Sequence, residues 1–399
     1  MLRRLLISRP GHIYLATYSS SSSSTIPKIT LDLDLPFAGN PSWLAISPTD
    51  PSLLYAVNES GSSLHLFELN LKASKLTQIA QRDNASEGVC HLEFNKQGTL
   101  LLGSSYAQGA IDIWNTEDPR EPRLVTTLPS KDPVVDAGRA PHAHQAVVDP
   151  TGRFFVVNDL GTDSMLVLDA LRPHVPVVRR VTVETGSGPR HGVFYPGAQE
   201  GEEEEGGKPA THYFLLCETS NRVEVFALKY REGDIEFTPK GSYSTFVSDD
   251  DGDGDATGEE GVPKRGAFAA AGEIVLSRDS RHLYTSNRLT TDPTETIAHF
   301  RVIPADDDDD EDDGEEGKEL RLELVGETST RGKHPRMFSL SKDGSELFVG
   351  NQEGEWAVVV LRRREDGTLE EEPVAGILME DVVKGGDDEK GPMFVLEVE

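Results

Sequence analysis

A short unit of strand, tight turn and strand recurs along the chain, and this repeat limits the fold more than any other feature. One copy runs from His142 to Asp169, where apolar runs are separated by an Asp-Pro-Thr-Gly turn at 149–152 and by a polar corner. No copy has the apolar stripe of a helix, and the spacing of roughly 45 to 55 residues is typical of propeller blades. Further copies lie at residues 40–69, 89–114, 188–226, 272–288 and 334–351.

The two ends of the chain supply strands for a seventh blade. Residues 392–398 are strand-like, and so are residues 4–8 and 13–17. Pairing these ends would close a ring and remove the unpaired edges that an open array of sheets leaves. We therefore predict an all-β fold, a seven-bladed β-propeller that uses residues 1–399 as a single domain.

Three acidic insertions between predicted strands carry much of the net charge of −30. They lie near residues 199–210, 249–262 and 305–319, and their mixture of Asp, Glu and Gly predicts disordered, solvated loops. The segment from Asp249 to Glu260 matches the spacing of a calcium-binding EF-hand loop, but it has no predicted flanking helices, so calcium binding is the alternative interpretation. The acidic balance argues against nucleic-acid binding, which needs clustered Lys and Arg.

The cysteines and the N-terminal segment bear on the cellular compartment. Cys90 and Cys217 fall in predicted strands and are most simply buried thiols, which fits a reducing compartment. Residues 1–7 imitate the start of a signal sequence, but the Arg-Pro-Gly at 9–11 interrupts the apolar run, so we interpret them as an edge strand of the closing blade. A mitochondrial presequence is the alternative. No stretch approaches the roughly 18 apolar residues of a membrane span. We therefore predict a cytoplasmic protein that binds no membrane, and the oligomeric state stays open.

The mouth of the central channel is where a propeller would collect a functional site. The innermost strand of each blade starts on the face of the disc where the second strand ends, because the two strands are antiparallel. Polar residues at these places would converge into a cation-rich site with one or two groups able to transfer protons. The starts of first strands supply His142, His144, Arg190, His191, His334 and Arg336, and the ends of second strands supply Asn158, Asp159, Glu218, Asn287, Arg288, Asn351 and Gln352.

Each of these residues also has a structural interpretation. A His or Arg at a blade corner often hydrogen-bonds only to loop carbonyls, and Asn158 is of a type that tolerates the backbone angles of turns. His142 and His144 could bind a metal from one face of a strand, but no third ligand is identifiable, so we predict no metal. The motifs of serine hydrolases, phosphate-binding loops and dinucleotide sites are missing from the sequence, and we predict no cofactor.

Several motifs together resemble one known family. They are His144 followed by Val-Val-Asp-Pro-Thr-Gly-Arg at 147–153, Gly-Pro-Arg-His at 188–191, Glu-Thr-Ser-Asn-Arg at 218–222, Ala-Gly-Glu-Ile at 271–274, Ser-Asn-Arg at 286–288 and His-Pro-Arg at 334–336. This combination resembles the seven-bladed propeller lactonases, which include the bacterial-type 6-phosphogluconolactonases and the fungal 3-carboxy-cis,cis-muconate lactonizing enzymes. The resemblance covers nearly the whole chain apart from the acidic insertions, and it is weakest between Cys90 and Trp114.

The resemblance implies a set of catalytic residues. In the muconate-cyclising branch the residue types proposed to act are a His, an Arg, a Glu and a second Arg, each from a characteristic place in a blade. A carboxylate or imidazole would serve as the base, and the guanidinium groups would stabilise an oxyanion or hold an anionic substrate. By resemblance these roles fall on His144, Arg190, Glu218 and Arg288, with either Glu218 or His144 as the base.

The expected function is hydrolysis of a small anionic sugar lactone, with 6-phosphogluconolactone as the first substrate to try. A 3-carboxy-cis,cis-muconate lactonizing enzyme, which would use the same side chains for proton transfer to an alkene, is one alternative. A non-catalytic propeller that binds a protein or a small anion is the other. The residues expected to contact the substrate are His191, Arg336, His334 and Asn287.

Overall fold

Each copy of the repeat folds into a four-stranded antiparallel sheet. The computed structural model describes residues 2–19, 28–197, 207–247, 266–304, 320–384 and 390–398. Most of the first acidic insertion, all of the other two and the calcium-binding alternative at 249–260 lie outside the described residues.

The strands, in chain order, are β1 (Leu2–Arg9), β2 (His12–Ser19), β3 (Lys28–Pro36), β4 (Leu44–Ile46), β5 (Leu53–Val57), β6 (Leu64–Asn70), β7 (Lys75–Arg82), β8 (Val89–Phe94), β9 (Leu100–Ser105), β10 (Ala110–Asn115), β11 (Arg123–Pro129), β12 (Ala143–Val148), β13 (Phe154–Asp159) and β14 (Ser164–Asp169). They continue as β15 (Val177–Thr182), β16 (Pro189–Tyr195), β17 (His212–Cys217), β18 (Arg222–Arg231), β19 (Asp234–Ser244), β20 (Ala270–Leu276), β21 (His282–Arg288), β22 (Thr296–Ile303), β23 (Arg321–Ser329), β24 (Met337–Leu340), β25 (Glu346–Gly350), β26 (Trp356–Arg362), β27 (Ala375–Leu378) and β28 (Phe394–Glu397). The described residues contain one short helix, α1 (Met379–Val382), and it is too short to cross a bilayer.

Seven blades result from this order of strands. Blades 1 to 6 are β4–β7, β8–β11, β12–β15, β16–β19, β20–β23 and β24–β27, and the closing blade has the order β28-β1-β2-β3. The innermost strands are therefore β4, β8, β12, β16, β20, β24 and β28. The prediction of a seven-bladed β-propeller is confirmed, including the assembly of the last blade from both ends of the chain. The expectation that the N-terminal segment is an edge strand is wrong, because β1 pairs with β28 on one side and with β2 on the other.

Blade-on-blade packing explains why the strands read as continuous apolar runs. Along β13, Phe154 and Val156 pack against β17 of blade 4, whereas the alternate residues Phe155 and Val157 pack with Leu102 of blade 2. Both faces of the sheet are thus buried, so a strand has no solvent face and no polar alternation. The hydrophobic core is distributed between neighbouring sheets around the ring.

The ring closes through β28 and β1, which pair from Leu5 with Glu397 to Ser8 with Phe394. A buried ion-pair network supports this joint. The Arg3 guanidinium lies 2.6 Å from an oxygen of Asp343, 3.2 Å from Glu346 and 3.6 Å from Glu397, and thereby joins the closing blade to blade 6. The side chains of Arg3, Glu346 and Glu397 are only 5–6% exposed, so their ion pairs are shielded from screening by solvent, whereas Asp343 is half exposed.

Four innermost strands carry a β-bulge where they start. The ladder register shifts between Val89 and His91 in β8, between Ala143 and Gln145 in β12, between Pro189 and His191 in β16, and between Ala271 and Ile274 in β20. A bulge sets two residues against one on the partner strand and re-aims their side chains. All four bulges lie at the predicted mouth of the channel, so they are the local feature that positions the site.

Replacing Arg3 tests the ring joint. Arg3→Ala should lower the free energy of unfolding by about 3 kcal/mol, because it leaves the buried carboxylates of Glu346 and Glu397 without their cation. Arg301→Ala is the matched control, since the Arg301–Glu323 ion pair is about half exposed and should contribute at most about 0.5 kcal/mol. Equilibrium denaturation in urea measures both, and equal losses would contradict the role given to Arg3.

Candidate active site

Two arginines from neighbouring blades share one carboxylate at the channel mouth. Glu218 follows β17, and its Oε2 lies 2.8 Å from Arg190 Nε and 2.8 Å from Arg288 Nη2. Arg190 is the bulged residue of β16 and its side chain is 2% exposed, whereas the Glu218 side chain is 25% exposed. The three groups that the resemblance selected from separate blades are therefore in direct contact, with the carboxylate on the solvent side.

Backbone carbonyls of β20 complete the surroundings of the two guanidinium groups. Arg190 Nη1 donates to the carbonyl of Gly272, and Arg288 Nη2 donates to the carbonyl of Ala271 at 3.0 Å. Position 272 requires glycine, because a Cβ there would lie 2.4 Å from Ser286 Oγ and 3.0 Å from Arg288 Cδ. The bulge in β20 thus serves as an acceptor surface for both arginines.

A third arginine reaches the mouth from blade 6, which neighbours the blade of Arg288. Arg336, just before β24, donates from Nη2 to Glu59 Oε2 at 2.8 Å, and Glu59 follows β5 of blade 1. Both side chains are about one-fifth exposed. Its positive charge acts on His144, His191 and Glu218, as do the charges of the other arginines. The site therefore gathers three guanidinium groups around two ion-paired carboxylates, in a chain of net charge −30.

Two histidines and a buried glutamate form a second group beside the arginines. His144 Nδ1 lies 3.1 Å from His191 Nε2, and His191 Nδ1 lies 2.6 Å from Glu273 Oε1. His144 is the bulged residue of β12, His191 follows the bulged Arg190, and Glu273 lies in the bulge of β20. Three different blades thus contribute one residue each to a continuous chain of polar contacts.

Aromatic rings border the histidines. The ring centroids of Trp43 and His91 are 4.1 Å apart, those of His91 and His191 are 5.6 Å apart, and those of Tyr106 and His144 are 5.9 Å apart. These rings come from blades 1 to 4, opposite the arginines of blades 4 to 6. The mouth therefore has a cationic side and an aromatic side.

The protonation of the site follows from burial and from the arginines. Burial and the charge of Arg190 hold the pKa of His144 and of His191 well below the ordinary value, so both imidazoles are neutral. Burial alone would raise the pKa of Glu218, but Arg288 and Arg190 outweigh it and hold this pKa below its usual range. Burial raises the pKa of Glu273 to about 7. Glu218 is thus a permanent anion, whereas Glu273 can change its charge near neutral pH.

Two residues expected to bind substrate make polar contacts away from the arginines and histidines at the mouth. The Asn287 amide donates to the Thr245 carbonyl at 2.9 Å and to Glu327 Oε1 at 3.1 Å, which ties β21 to the outer strands. His334 Nδ1 lies 3.2 Å from Glu353. Among the described residues, no hydrogen bond or ion pair joins Asn287 or His334 to the arginines and histidines at the mouth.

Other residues at the predicted mouth connect loops. Asn158 donates to Gln145 and Tyr213, and Asp159 Oδ1 accepts from the backbone of His142 and Thr162. The His142 ring stacks on Tyr106 and its Nδ1 lies 2.8 Å from the Tyr106 carbonyl oxygen. Because the bulge at His144 breaks the strand alternation, His142 and His144 have different partners. Within the described part of the chain, no three His, Cys, Asp or Glu side chains are arranged to hold a metal.

Sequence reasoning missed Glu273, Glu59 and the aromatic pair of Trp43 and His91. Glu273 was visible in the Ala-Gly-Glu-Ile motif, but strict alternation along β20 gives no reason to place its side chain beside His191. Glu59 had a clearer signal, since it follows the end of a second strand, as Glu218 does. Trp43 and His91 occupy the starts of innermost strands, the position that selected His144 and Arg190.

Comparison with known proteins decides the family. The model of the family described as "Lactonase, 7-bladed beta-propeller" matches residues 8–376. This chain belongs to that family. The predicted family is confirmed, and the chain is a lactonase by descent, with a substrate still to be assigned.

The lactonase is similar to several named proteins. It is 30% identical over 261 residues to a "Probable 6-phosphogluconolactonase" of Arthroderma benhamiae, an alignment that covers 63% of this chain and 58% of the relative. A 6-phosphogluconolactonase of Formosa agariphila is 25% identical over 346 residues, which cover 84% of each chain. The solved structure of a periplasmic gluconolactonase from Pseudomonas aeruginosa superposes with a TM-score of 0.72 at 21% identity over 100% of this chain and 99% of the other. This structural likeness shows the fold.

Phosphate binding tests the cationic side of this lactonase. Inorganic phosphate should raise its melting temperature by about 2 °C at concentrations well above the dissociation constant, because a bound anion stabilises only the folded state. Arg288→Ala should reduce this shift, since Arg288 is the partly exposed arginine beside Glu218. Arg301→Ala removes an exposed arginine elsewhere and should respond as the wild type does. Identical shifts in all three proteins would show that phosphate does not bind at the mouth.

Proposed function

We propose that this lactonase hydrolyses a small anionic sugar lactone, with 6-phosphogluconolactone as the first candidate. The observation that carries the proposal is the convergence of Arg190, Arg288 and Arg336 beside the neutral imidazole of His144. An ester carbonyl attacked by water needs a base and a cationic environment for the developing oxyanion, and this mouth contains both. The names of the relatives from Arthroderma benhamiae and Formosa agariphila support the sugar-lactone class.

His144 is the proposed general base. Its imidazole is neutral at physiological pH, and no described residue hydrogen-bonds to its Nε2, so this nitrogen is available to a water molecule. Glu218 is the weaker candidate because its Oε2 is already paired with both Arg190 and Arg288. Its proposed role is to fix the orientation of Arg190 and Arg288.

The reaction then follows in two steps. Water loses a proton to His144 and adds to the lactone carbonyl, and the guanidinium groups stabilise the negative oxygen of the tetrahedral intermediate. The bond between the carbonyl carbon and the ring oxygen breaks next, and the leaving alkoxide takes up the proton. A phosphate on the substrate would bind to arginine, whose planar fork suits phosphate oxygens. No step requires a metal or an organic cofactor.

A muconate-type substrate is the second candidate, because the Glu and the two Arg that the muconate-cyclising branch uses are in contact here, and the charges of both Arg act on His144. Proton transfer to an alkene would need the same base and the same clamp for carboxylates. Sugar lactones rank first because the Gly-Pro-Arg-His and Ala-Gly-Glu-Ile segments resemble the phosphogluconolactonase branch more closely.

The proposed location is the cytoplasm. Cys90 and Cys217 are both free and buried, and burial raises the pKa of Cys90 to about 12, so this thiol stays protonated. Unpaired thiols are typical of a reducing compartment.

A substrate panel with an arginine variant tests the function. The wild type should open 6-phosphogluconolactone faster than the spontaneous reaction, and Arg190→Ala should reduce kcat/KM by about 10² to 10³, as loss of an oxyanion-stabilising group does. The panel includes an unphosphorylated gluconolactone and 3-carboxy-cis,cis-muconate, and each rate is measured after subtraction of the reaction without enzyme.

The control for this panel is Arg301→Ala, which should retain wild-type rates. Turnover of the muconate alone would favour the cycloisomerase. If the wild type and a correctly folded Arg190→Ala protein leave every spontaneous rate unchanged, the mouth is a binding site without catalysis.

A further inference from the structure

A line of three buried side chains extends from His144 into the protein. Glu273 Oε1 lies 2.6 Å from His191 Nδ1, and His191 Nε2 lies 3.1 Å from His144 Nδ1. The side chains of His191 and Glu273 are 2% and 5% exposed. Bulk water therefore has little access to the inner end of this line, and protons there can move only along the hydrogen bonds.

When Glu273 is ionised, the donors and acceptors along the line determine which nitrogen of His191 and of His144 carries the proton. A neutral imidazole has one N–H donor and one acceptor nitrogen. The carboxylate can only accept, so His191 must carry its proton on Nδ1, and its Nε2 is then an acceptor. His144 must consequently donate from Nδ1, which leaves its Nε2 as a lone pair. The line thus makes His144 a base at Nε2, the nitrogen to which no described residue hydrogen-bonds.

The charges around this line oppose a buried imidazolium. Arg190, Arg288 and Arg336 all act on both histidines, and the nearby His91 is neutral as well because burial lowers its pKa. The two anions at the mouth, Glu218 and Glu59, are already paired with arginines. A proton taken up by His144 is therefore poorly accommodated on either ring.

Glu273 can accept the proton instead. Its Oε1 also accepts the Ile274 backbone N–H at 3.0 Å, but its buried Oε2 has no hydrogen-bond partner among the residues that the structure describes, so the carboxylate is incompletely solvated. Burial raises its pKa to about 7, although Arg190, Arg288 and Arg336 act in the opposite direction. The carboxyl group is thus matched to proton uptake near neutral pH.

We propose that His144, His191 and Glu273 form a proton relay whose final acceptor is Glu273. When the water O–H bond breaks, His144 gains a proton on Nε2, its Nδ1 proton passes to His191 Nε2, and the His191 Nδ1 proton passes to Glu273 Oε1. Three bonds to hydrogen break and three form. The negative charge of Glu273 disappears as the oxyanion of the intermediate appears, so no imidazolium accumulates beside the arginines.

The relay runs in reverse when the intermediate collapses. The ring C–O bond breaks, the leaving alkoxide takes the proton from His144 Nε2, and both histidines and Glu273 return to their starting forms. This inference rests on the proposed function, with His144 as the group that touches water and substrate. Glu273 is a positioning residue, because it acts through His191 and His144.

Glu273→Gln tests the relay by its kinetics. The glutamine carbonyl can still accept the His191 Nδ1–H bond, but it cannot take up the proton. We expect kcat to fall by about 10² or more with KM changed less than about threefold. Because the ionised form of Glu273 is the active one, wild-type kcat/KM should decrease as the pH falls through about 7, and the variant should lack this limb.

The matched control is Glu93→Gln on the innermost strand β8. Burial also raises the pKa of Glu93 to about 7, but this carboxyl group contacts the Val148 backbone and has no hydrogen bond to the three relay residues. Glu93→Gln should retain the wild-type kcat and the wild-type pH limb. An unchanged kcat and pH profile in a folded Glu273→Gln protein would overturn the relay.

Nitrogen NMR of labelled histidines gives a test that needs no substrate. At about pH 8, where Glu273 is ionised, His144 and His191 should both be neutral with the proton on Nδ1, which is the less common tautomer of a free imidazole. His144→Gln and His191→Gln assign the two signals. An imidazolium, or an Nε2 proton on His191, would overturn the relay even if hydrolysis is confirmed. If both histidines carry the proton on Nδ1 but the protein hydrolyses no lactone, the proposed function would be refuted, whereas the hydrogen bonds between His144, His191 and Glu273 would be confirmed.

Discussion

Closure of the ring by β28 and β1 is the constraint on which the rest of the structure depends. The sheet of each blade packs mainly on its two neighbours, so the innermost strands acquire fixed relative positions only when the last blade joins the first. The contact between Arg336 and Glu59 shows this directly. These residues are 277 positions apart in the chain, and they belong to blades 6 and 1, which the closing blade connects. The buried network of Arg3 therefore supports the mouth as well as the joint.

The arrangement of charged side chains differs between the ring joint and the channel mouth. At the joint, one buried arginine is surrounded by carboxylates, an arrangement that favours the folded state once the desolvation is offset. At the mouth, three arginines lie close together, and burial with the charge of Arg288 lowers the pKa of Arg190 to about 10. An excess of like charge is unfavourable for folding, but it is suited to an anionic substrate and to a developing oxyanion. The carboxylate of Glu218 limits this repulsion by binding both guanidinium groups.

The β-bulges connect the repeat to the chemistry. A regular innermost strand would place alternate residues on opposite faces, and Arg190 and His191 could not both contribute to the mouth. The bulge allows Arg190 to reach Glu218 while His191 reaches His144 and Glu273. Similar bulges at His144 and at Glu273 mean that one local irregularity, used in neighbouring blades, assembles most of the polar contacts.

Much of the fold could be read from the sequence because its signal is local. Apolar runs, Asp-Pro-Thr-Gly-like turns and strand-like ends predict seven sheets, and the positions of blade starts and strand ends put a set of polar residues at the mouth, from which the family resemblance selected His144, Arg190, Glu218 and Arg288. Sequence alone could not separate Glu218 from Asn287, since both end second strands. Only packing shows that Asn287 binds Thr245 and Glu327, whereas Glu218 lies between two arginines. The local sequence pattern thus determined the seven blades and the types of residue at the channel mouth. The tertiary structure decided which of them meet, because bulge geometry and the distance across a closed ring depend on contacts between residues far apart in the chain.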